Sequence, residues 1–278
     1  MKQKIAEFSF LHVFAILLVV LGHSFYQTNS LIVDWMYQFH VPLFFFVSGY
    51  LFNVSVNGKP LQPHIFLSRK AVRLLLPYFA LSTLLFVPKV LLSQFMVRPI
   101  QANWSEYVLM LIYPYRNVNG SYWFLPTLFL LFVFAVIAHF FLQRLQRITS
   151  LAITTLLLTL LALANVSFPF SHDTLFNVVG VIHYAFYFAL GYFVFSFGLM
   201  RFLDKRKTSF LVFLFTFVVS IIGLHVNKSP LMDLFFAMEV FLCQLLCHAY
   251  TQNMGFVSLI TSLLLLILSI FIMESFKH

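Results

Sequence analysis

The sequence predicts an all-α fold: a polytopic bundle of transmembrane helices crossing the bilayer about nine times from a cytoplasmic N-terminus. Three observations lead there. Hydrophobic residues make up 62% of the 278 and charged residues 9%, whereas an ordinary soluble domain carries about 25% charged residues. Apolar runs long enough to span a bilayer recur from one end of the chain to the other, with no polar stretch long enough for a separate soluble domain. The basic residues sit in the short segments between those runs, mostly on one side.

A spanning helix needs about 20 mostly apolar residues, and this criterion selects 8–26, 36–54, 72–96, 121–142, 149–166, 175–199, 208–226, 231–250 and 254–274. The apolar stretch 103–115 is too short and is read as an interfacial or re-entrant piece. Pro77 and Pro88 fall inside the third run, where neighbouring groups must satisfy the freed carbonyls. Pro126 falls near the start of the fourth, where proline costs least. The chain is expected to form a single membrane-embedded domain over 1–278, without a cleavable signal peptide, because no small-residue cleavage site follows the first run.

Orientation follows from the cations. With the N-terminus inside, the inner segments hold twelve of the 17 Lys and Arg residues: Lys2, Lys4, Lys59, Arg69, Lys70, Arg73, Arg144, Arg147, Arg201, Lys205, Arg206 and Lys207. The outer segments hold the other five: Lys89, Arg98, Arg116, Lys228 and Lys277. The positive-inside rule selects that orientation. The same placement explains the net charge of +9 without nucleic acid, since the cations do not cluster among stacking aromatics. Cys243 and Cys247 are four apart in an apolar run and are read as reduced core residues, because i,i+4 helical geometry does not suit a disulfide.

Polar groups at membrane depth are costly and tend to be functional. His23 stands in Leu17-Leu18-Val19-Val20-Leu21-Gly22-His23-Ser24. Apolar surroundings disfavour a charged imidazole and keep it available as a base, and a carbonyl-bonded histidine at a helix end is the plainer alternative. In Phe39-His40-Val41-Pro42-Leu43-Phe44-Phe45-Phe46-Val47-Ser48-Gly49-Tyr50, the small residues Ser48 and Gly49 permit close helix approach. Arg69-Lys70-Ala71-Val72-Arg73 places three cations at a helix end, where they suit an anionic phosphate or a simple interfacial anchor. Gly120-Ser121-Tyr122-Trp123-Phe124-Leu125-Pro126 sets aromatics at the outer surface. Glu239 is the one acid well inside an expected span, and no metal-ligand set, Gly-rich phosphate loop or hydrolase nucleophile elbow is present.

Taken in this order, the four clusters resemble the integral-membrane O-acyltransferases of acyltransferase family three, with the fucose 4-O-acetylase and intercellular-adhesion polysaccharide branch the nearest in character. The resemblance is carried by Ala15 to Ser24, Phe39 to Tyr50, Lys70 to Tyr78 and Trp123 to Leu125, and over the second half of the chain by hydropathy. It implies about ten helices, cytoplasmic acyl-CoA (acetyl-CoA) as donor and a hydroxyl of a cell-surface or lipid-linked carbohydrate as acceptor, in a bacterial inner membrane and with no metal. His23 matches the family's first-helix histidine and Lys70 and Arg73 its basic pair, where the first position is usually Arg. The resemblance implies that His23 is the catalytic base, that Lys70 and Arg73 bind the phosphates of the donor, and that Trp123 and Ser48 lie on the substrate side. The chain departs from the family at Ser9 and His12, where Asp and a basic residue are usual, and at Ala237, Phe241 and Gln244, where a Ser, Tyr, His pattern is usual. Two other readings stay open: a transporter or flippase for a polysaccharide precursor, with His23 as a polar pore residue, and a diverged non-catalytic membrane subunit.

Overall fold

The computed structural model describes residues 31–95, 103–167 and 173–198. Every regular element among them is helical. In chain order these are α1 (Leu31–Val56), α2 (Pro63–Leu91), α3 (Trp104–Ile112), α4 (Phe124–Leu142), α5 (Arg147–Ser167) and α6 (Val178–Ser196), with short 3₁₀ turns at Ser93–Phe95, Pro114–Arg116, Gly120–Trp123 and Leu175–Asn177. Among the described residues, four helical stretches are long and apolar enough to cross a membrane: Pro63–Leu91, Gly120–Leu142, Arg147–Asn165 and Leu175–Ser196. They correspond to the third to sixth runs picked out by length. The first run and the last three, with His23, Glu239 and the two cysteines, lie outside the described residues.

The run 36–54 lies within α1, whereas the boundaries of the next helix differ from the hydropathy reading. The run 72–96 belongs to one that begins nine residues earlier, at Pro63, and ends at Leu91. Proline at the first position sets the helical φ and lacks only an N–H that would have no partner there, so α2 starts in polar sequence and carries Arg69 and Lys70 within its own first turns. The stretch 103–115 forms α3, a nine-residue helix started by Asn103, whose side chain accepts a hydrogen bond from the Ser105 N–H at 3.2 Å. It is too short to span.

Lipid shows in the distribution of side chains on α2. Val72, Leu76, Leu84, Val87 and Leu91 recur at helical spacing and are all exposed, while the two buried residues of the helix, Tyr78 and Ser82, are polar or amphipathic. In water that arrangement is inverted; against hydrocarbon it is the stable one.

The described residues fall into two compact units, 31–55 with 187–198, and 56–186. In the first, α1 and the second half of α6 meet without intervening side chains. A Cβ on Gly49 would lie 2.0 Å from the Phe188 carbonyl oxygen, and one on Gly191 would lie 2.0 Å from that of Phe46. The expectation of close approach at Ser48-Gly49 is thus met, with Gly191 as its partner. The crossing is fixed by Asn53, whose amide donates to the Tyr192 carbonyl at 3.0 Å and to Ser196 Oγ at 2.5 Å, and by the edge-to-face pair Tyr50–Phe195.

In the second unit α2 and α4 run antiparallel. Phe66 and Lys70 near the start of α2 meet Phe132, and Lys89 near its end donates to the carbonyl of Val118, just ahead of α4. The turn before α6 holds two non-glycine residues with positive φ, Phe176 at 47° and Asn177 at 54°, a conformation that persists only when the surroundings impose it. The surroundings here are a fully buried Asn177 whose amide donates to Thr127 Oγ1 at 2.8 Å, and Gly180, where any Cβ would strike the Asn177 side chain.

The glycine crossing yields a prediction. Gly49→Leu forces the α1–α6 backbones apart and destabilises the protein by about 1–3 kcal/mol or more, the usual cost of overpacking. Thermal melting in detergent should show a lower midpoint than for a Leu substitution at the lipid-exposed Val72, and equal midpoints would refute the close crossing.

Candidate functional site

The candidate site residues of the second unit sit at opposite ends of α2. At the end where α2 begins, Arg69 and Arg73 are exposed and one helical turn apart, while Lys70 is half-buried. The Lys70 ammonium lies 3.9 Å from the centroid of Phe132 and 5.5 Å from that of Phe66, well within cation–π range. Lys70 and Arg73 therefore share a helix end but not a surroundings: Lys70 is turned to α4, and Arg73 is open.

At the other end, the segment 113–123 is held by a buried polar network. The Tyr78 hydroxyl donates to the carbonyls of Leu111 at 3.0 Å and Met110 at 3.3 Å. Ser82 donates to the Tyr78 carbonyl at 2.6 Å and accepts from the Asn117 amide at 2.8 Å, and that amide also reaches the Met110 carbonyl at 3.1 Å. Tyr78 and Ser82 are completely buried and Asn117 nearly so. Buried polar groups in such surroundings are stable only when paired, so the network dictates one path for the segment. That path brings Trp123 between two tyrosines: Tyr115 stacks on it at 5.3 Å and 14°, and Tyr184 of α6 at 5.2 Å and 22°. His183 meets Tyr184 edge to face at 4.7 Å. Burial pushes the Tyr115 hydroxyl well above its ordinary range.

Trp123, expected on the substrate side, is thus a partly buried plate whose π surface is already engaged by two rings within the protein. Beside the stack, Arg116 Nε donates to both carboxylate oxygens of Asp173, at 2.8 and 3.0 Å, and Arg116 Nη2 reaches Oδ2 at 2.5 Å. The hydrogen bonds from Arg116 hold the Asp173 carboxyl below its usual range and raise the guanidinium further.

Ser48, the remaining candidate among the described residues, belongs to the other unit. It is buried on α1 beside Gly49, a position that reads as packing. Within the second unit Lys70 and Arg73 share one end of α2 while Trp123 lies toward the other, and His23 lies outside the described residues. Asn117, Tyr115, Tyr184 and His183 were not singled out in the sequence. Asn117 is one polar residue among several in Arg116-Asn117-Val118-Asn119-Gly120, and only the fold reveals that it is the buried one.

The ion pair makes a pH prediction. Because the Asp173 pKa is depressed in the folded protein, its contribution is complete above the ordinary carboxylate pKa and is lost as pH falls through the depressed value. The melting-point gap between the native protein and Asp173→Asn is therefore present at pH 7 and closes on acidification. Both groups are exposed, so the gap is small and high salt shrinks it further. A gap that widens in acid refutes the assignment.

A family model described as an acyltransferase domain matches residues 5–274, nearly the whole chain. No curated protein and no solved structure matches.

Proposed function

The chain belongs to acyltransferase family 3, and from that premise we propose that it moves an acetyl group from acetyl-CoA in the cytoplasm to a hydroxyl of a cell-surface or lipid-linked carbohydrate, in a bacterial inner membrane. The membrane and the acyl transfer rest on the family and the apolar helices; the donor, the acceptor and the sidedness are the proposal. What supports it most is the extent of the match, which takes in all four clusters along one chain.

The chemistry asks for three things. A base must accept the proton of the acceptor hydroxyl as its oxygen attacks the thioester carbonyl. In this reading His23, in its apolar run, has that role. The carbon–sulfur bond then breaks, and the proton ends on the departing thiol of coenzyme A, so the histidine is regenerated. The donor must also be held by its phosphates, for which the cationic end of α2, with Arg73 open to solvent, is suited by charge and by the fork geometry of its guanidinium groups. The acceptor must be positioned at the far side, and the plate of Tyr115, Trp123 and Tyr184 supplies amphipathic rings of the kind that settle at a membrane interface. Ser48 is assigned to the packing of α1 rather than to substrate.

The decisive experiment measures acceptor-stimulated release of coenzyme A from acetyl-CoA by purified protein. General base catalysis is worth about 10²–10⁴-fold, so His23→Ala should lower turnover by that order while leaving acetyl-CoA binding intact. Full activity in His23→Ala sinks the catalytic role; native protein that binds no acetyl-CoA sinks the donor. Sidedness is tested separately. A cysteine placed at Asn57, between α1 and α2, should resist impermeant thiol reagents in intact cells, and ready labelling reverses the orientation.

A further inference from the structure

The segment that leads into α6 meets the loop ahead of α4 through one ion pair, and that pair leaves both donors and an acceptor position open. Arg116 is fixed on two sides. Its guanidinium lies over the ring of Tyr113, 5.0 Å from the centroid, and its Nε–Nη2 edge is engaged by Asp173, at 2.8, 3.0 and 2.5 Å. Among the described residues nothing hydrogen-bonds Nη1. The contacts on Asp173 also fall short of the roughly four positions at which a carboxylate accepts. The two side chains are 54% and 44% exposed, so the open donors and the open acceptor lie side by side before solvent. Each hydroxyl of a sugar both donates and accepts, and two neighbouring hydroxyls match such a pair. Tyr113 and Tyr115, on either side of Pro114, are half-buried, and Tyr115 is a ring that stacks on Trp123. Amphipathic rings of this kind suit the apolar C–H face of a sugar.

Charge narrows the kind of sugar. The Asp173 carboxylate offsets the guanidinium, and Glu106 is close enough to act on it as well. Lys89, the cation at this end of α2, donates to the Val118 carbonyl. Around Arg116, one cation thus faces two carboxylates. An acidic sugar meets net repulsion there and a neutral one does not.

We propose that Arg116 and Asp173 form a specificity-determining pair that binds adjacent hydroxyls of an uncharged sugar in the acceptor, and that Asp173 turns acidic sugars away. The inference rests on the reading of a carbohydrate acceptor and deepens it by naming the charge class of the sugar.

Binding is measured on the full-length chain in phosphatidylcholine nanodiscs, which carry no sugar. The probes are the methyl glycosides of glucose, galactose and mannose and the matching methyl uronates, which bear a carboxylate in place of the primary alcohol. Native protein should bind at least one neutral glycoside more tightly than its uronate, by about fourfold or more, the effect of one like charge about 5 Å away in water. Asp173→Asn keeps the size and an acceptor oxygen, and should abolish or reverse that preference. Arg116→Gln should weaken binding of the neutral glycoside by about tenfold, the effect of losing charge-assisted contacts. If it does not fold, Arg116→Lys carries the test: it keeps the charge, lacks the fork, and should bind about threefold more weakly or worse. A pair that only ties two loops together would lower the melting midpoint and leave the ratio of neutral to acidic affinities unmoved, and that result overturns the proposal. So does a native preference for a uronate, or failure to bind any of the neutral glycosides. The acyl-transfer reading fails separately. Native protein that binds neutral glycosides with this selectivity, yet releases no coenzyme A from acetyl-CoA in their presence, keeps the pair and loses the reaction. Acetyl transfer to a glycan with native acceptor KM in both Arg116→Gln and Asp173→Asn keeps the reaction and discards the pair.

Discussion

Lipid offers no hydrogen bonds, so a polar group carried into it must be satisfied by the protein itself. The triangle of Tyr78, Ser82 and Asn117 meets that requirement in the second unit. Two of its members are on α2 and the third is on the loop ahead of α4, and their partners include the end of α3. Take away the amide of Asn117 and Ser82 loses a donor in a place with no water to replace it. The course of 113–123, and through it the stack on Trp123, follows from that single set of bonds. Asn177 repeats the device a short way off: its amide donates to Thr127, which in turn donates to the Trp123 carbonyl at 2.7 Å. The left-handed backbone at Phe176 and Asn177 is held in the same place.

How much of this could be read from sequence depends on the range of the interaction involved. Spans were legible because length and apolarity are local: the runs 121–142 and 149–166 match their helices within three residues at each end. The start of α2 was missed because an apolar window ignores polar helical turns; the signal that marks it is Pro63 at a helix's first position, not hydropathy. Ser48 and Gly49 declared a close approach, but Gly191, its partner 142 residues further on, has no local mark. Trp123 stood out as an aromatic at an interface, yet the tyrosines that flank it come from positions 115 and 184. Asn117 was illegible for a related reason: burial of a loop residue is decided by tertiary contacts that no periodicity encodes.

The second unit carries different chemistry at its two ends, cationic where α2 begins and aromatic where it finishes. One helix thus links a face suited to a soluble polyanion with a face suited to an amphipathic acceptor. That separation is compatible with the proposed transfer between substrates on different sides of a membrane. The departures at Ser9 and His12 lie in the N-terminal run that bears His23, outside the described residues.

The early start of α2 has a mechanical consequence. Its 29 residues measure about 43 Å at 1.5 Å per residue, against a hydrocarbon core of about 30 Å. The helix therefore exceeds that core by roughly two turns, an overhang divided between its ends according to how it sits in the bilayer. A lipid bilayer of longer acyl chains would draw that overhang inward or require the helix to stand more upright, and one of shorter chains would expose more of it or tilt it. The height of the cationic start of α2 relative to the hydrocarbon is consequently set in part by the surrounding lipid, which gives membrane thickness a direct hold on a charged end of the helix.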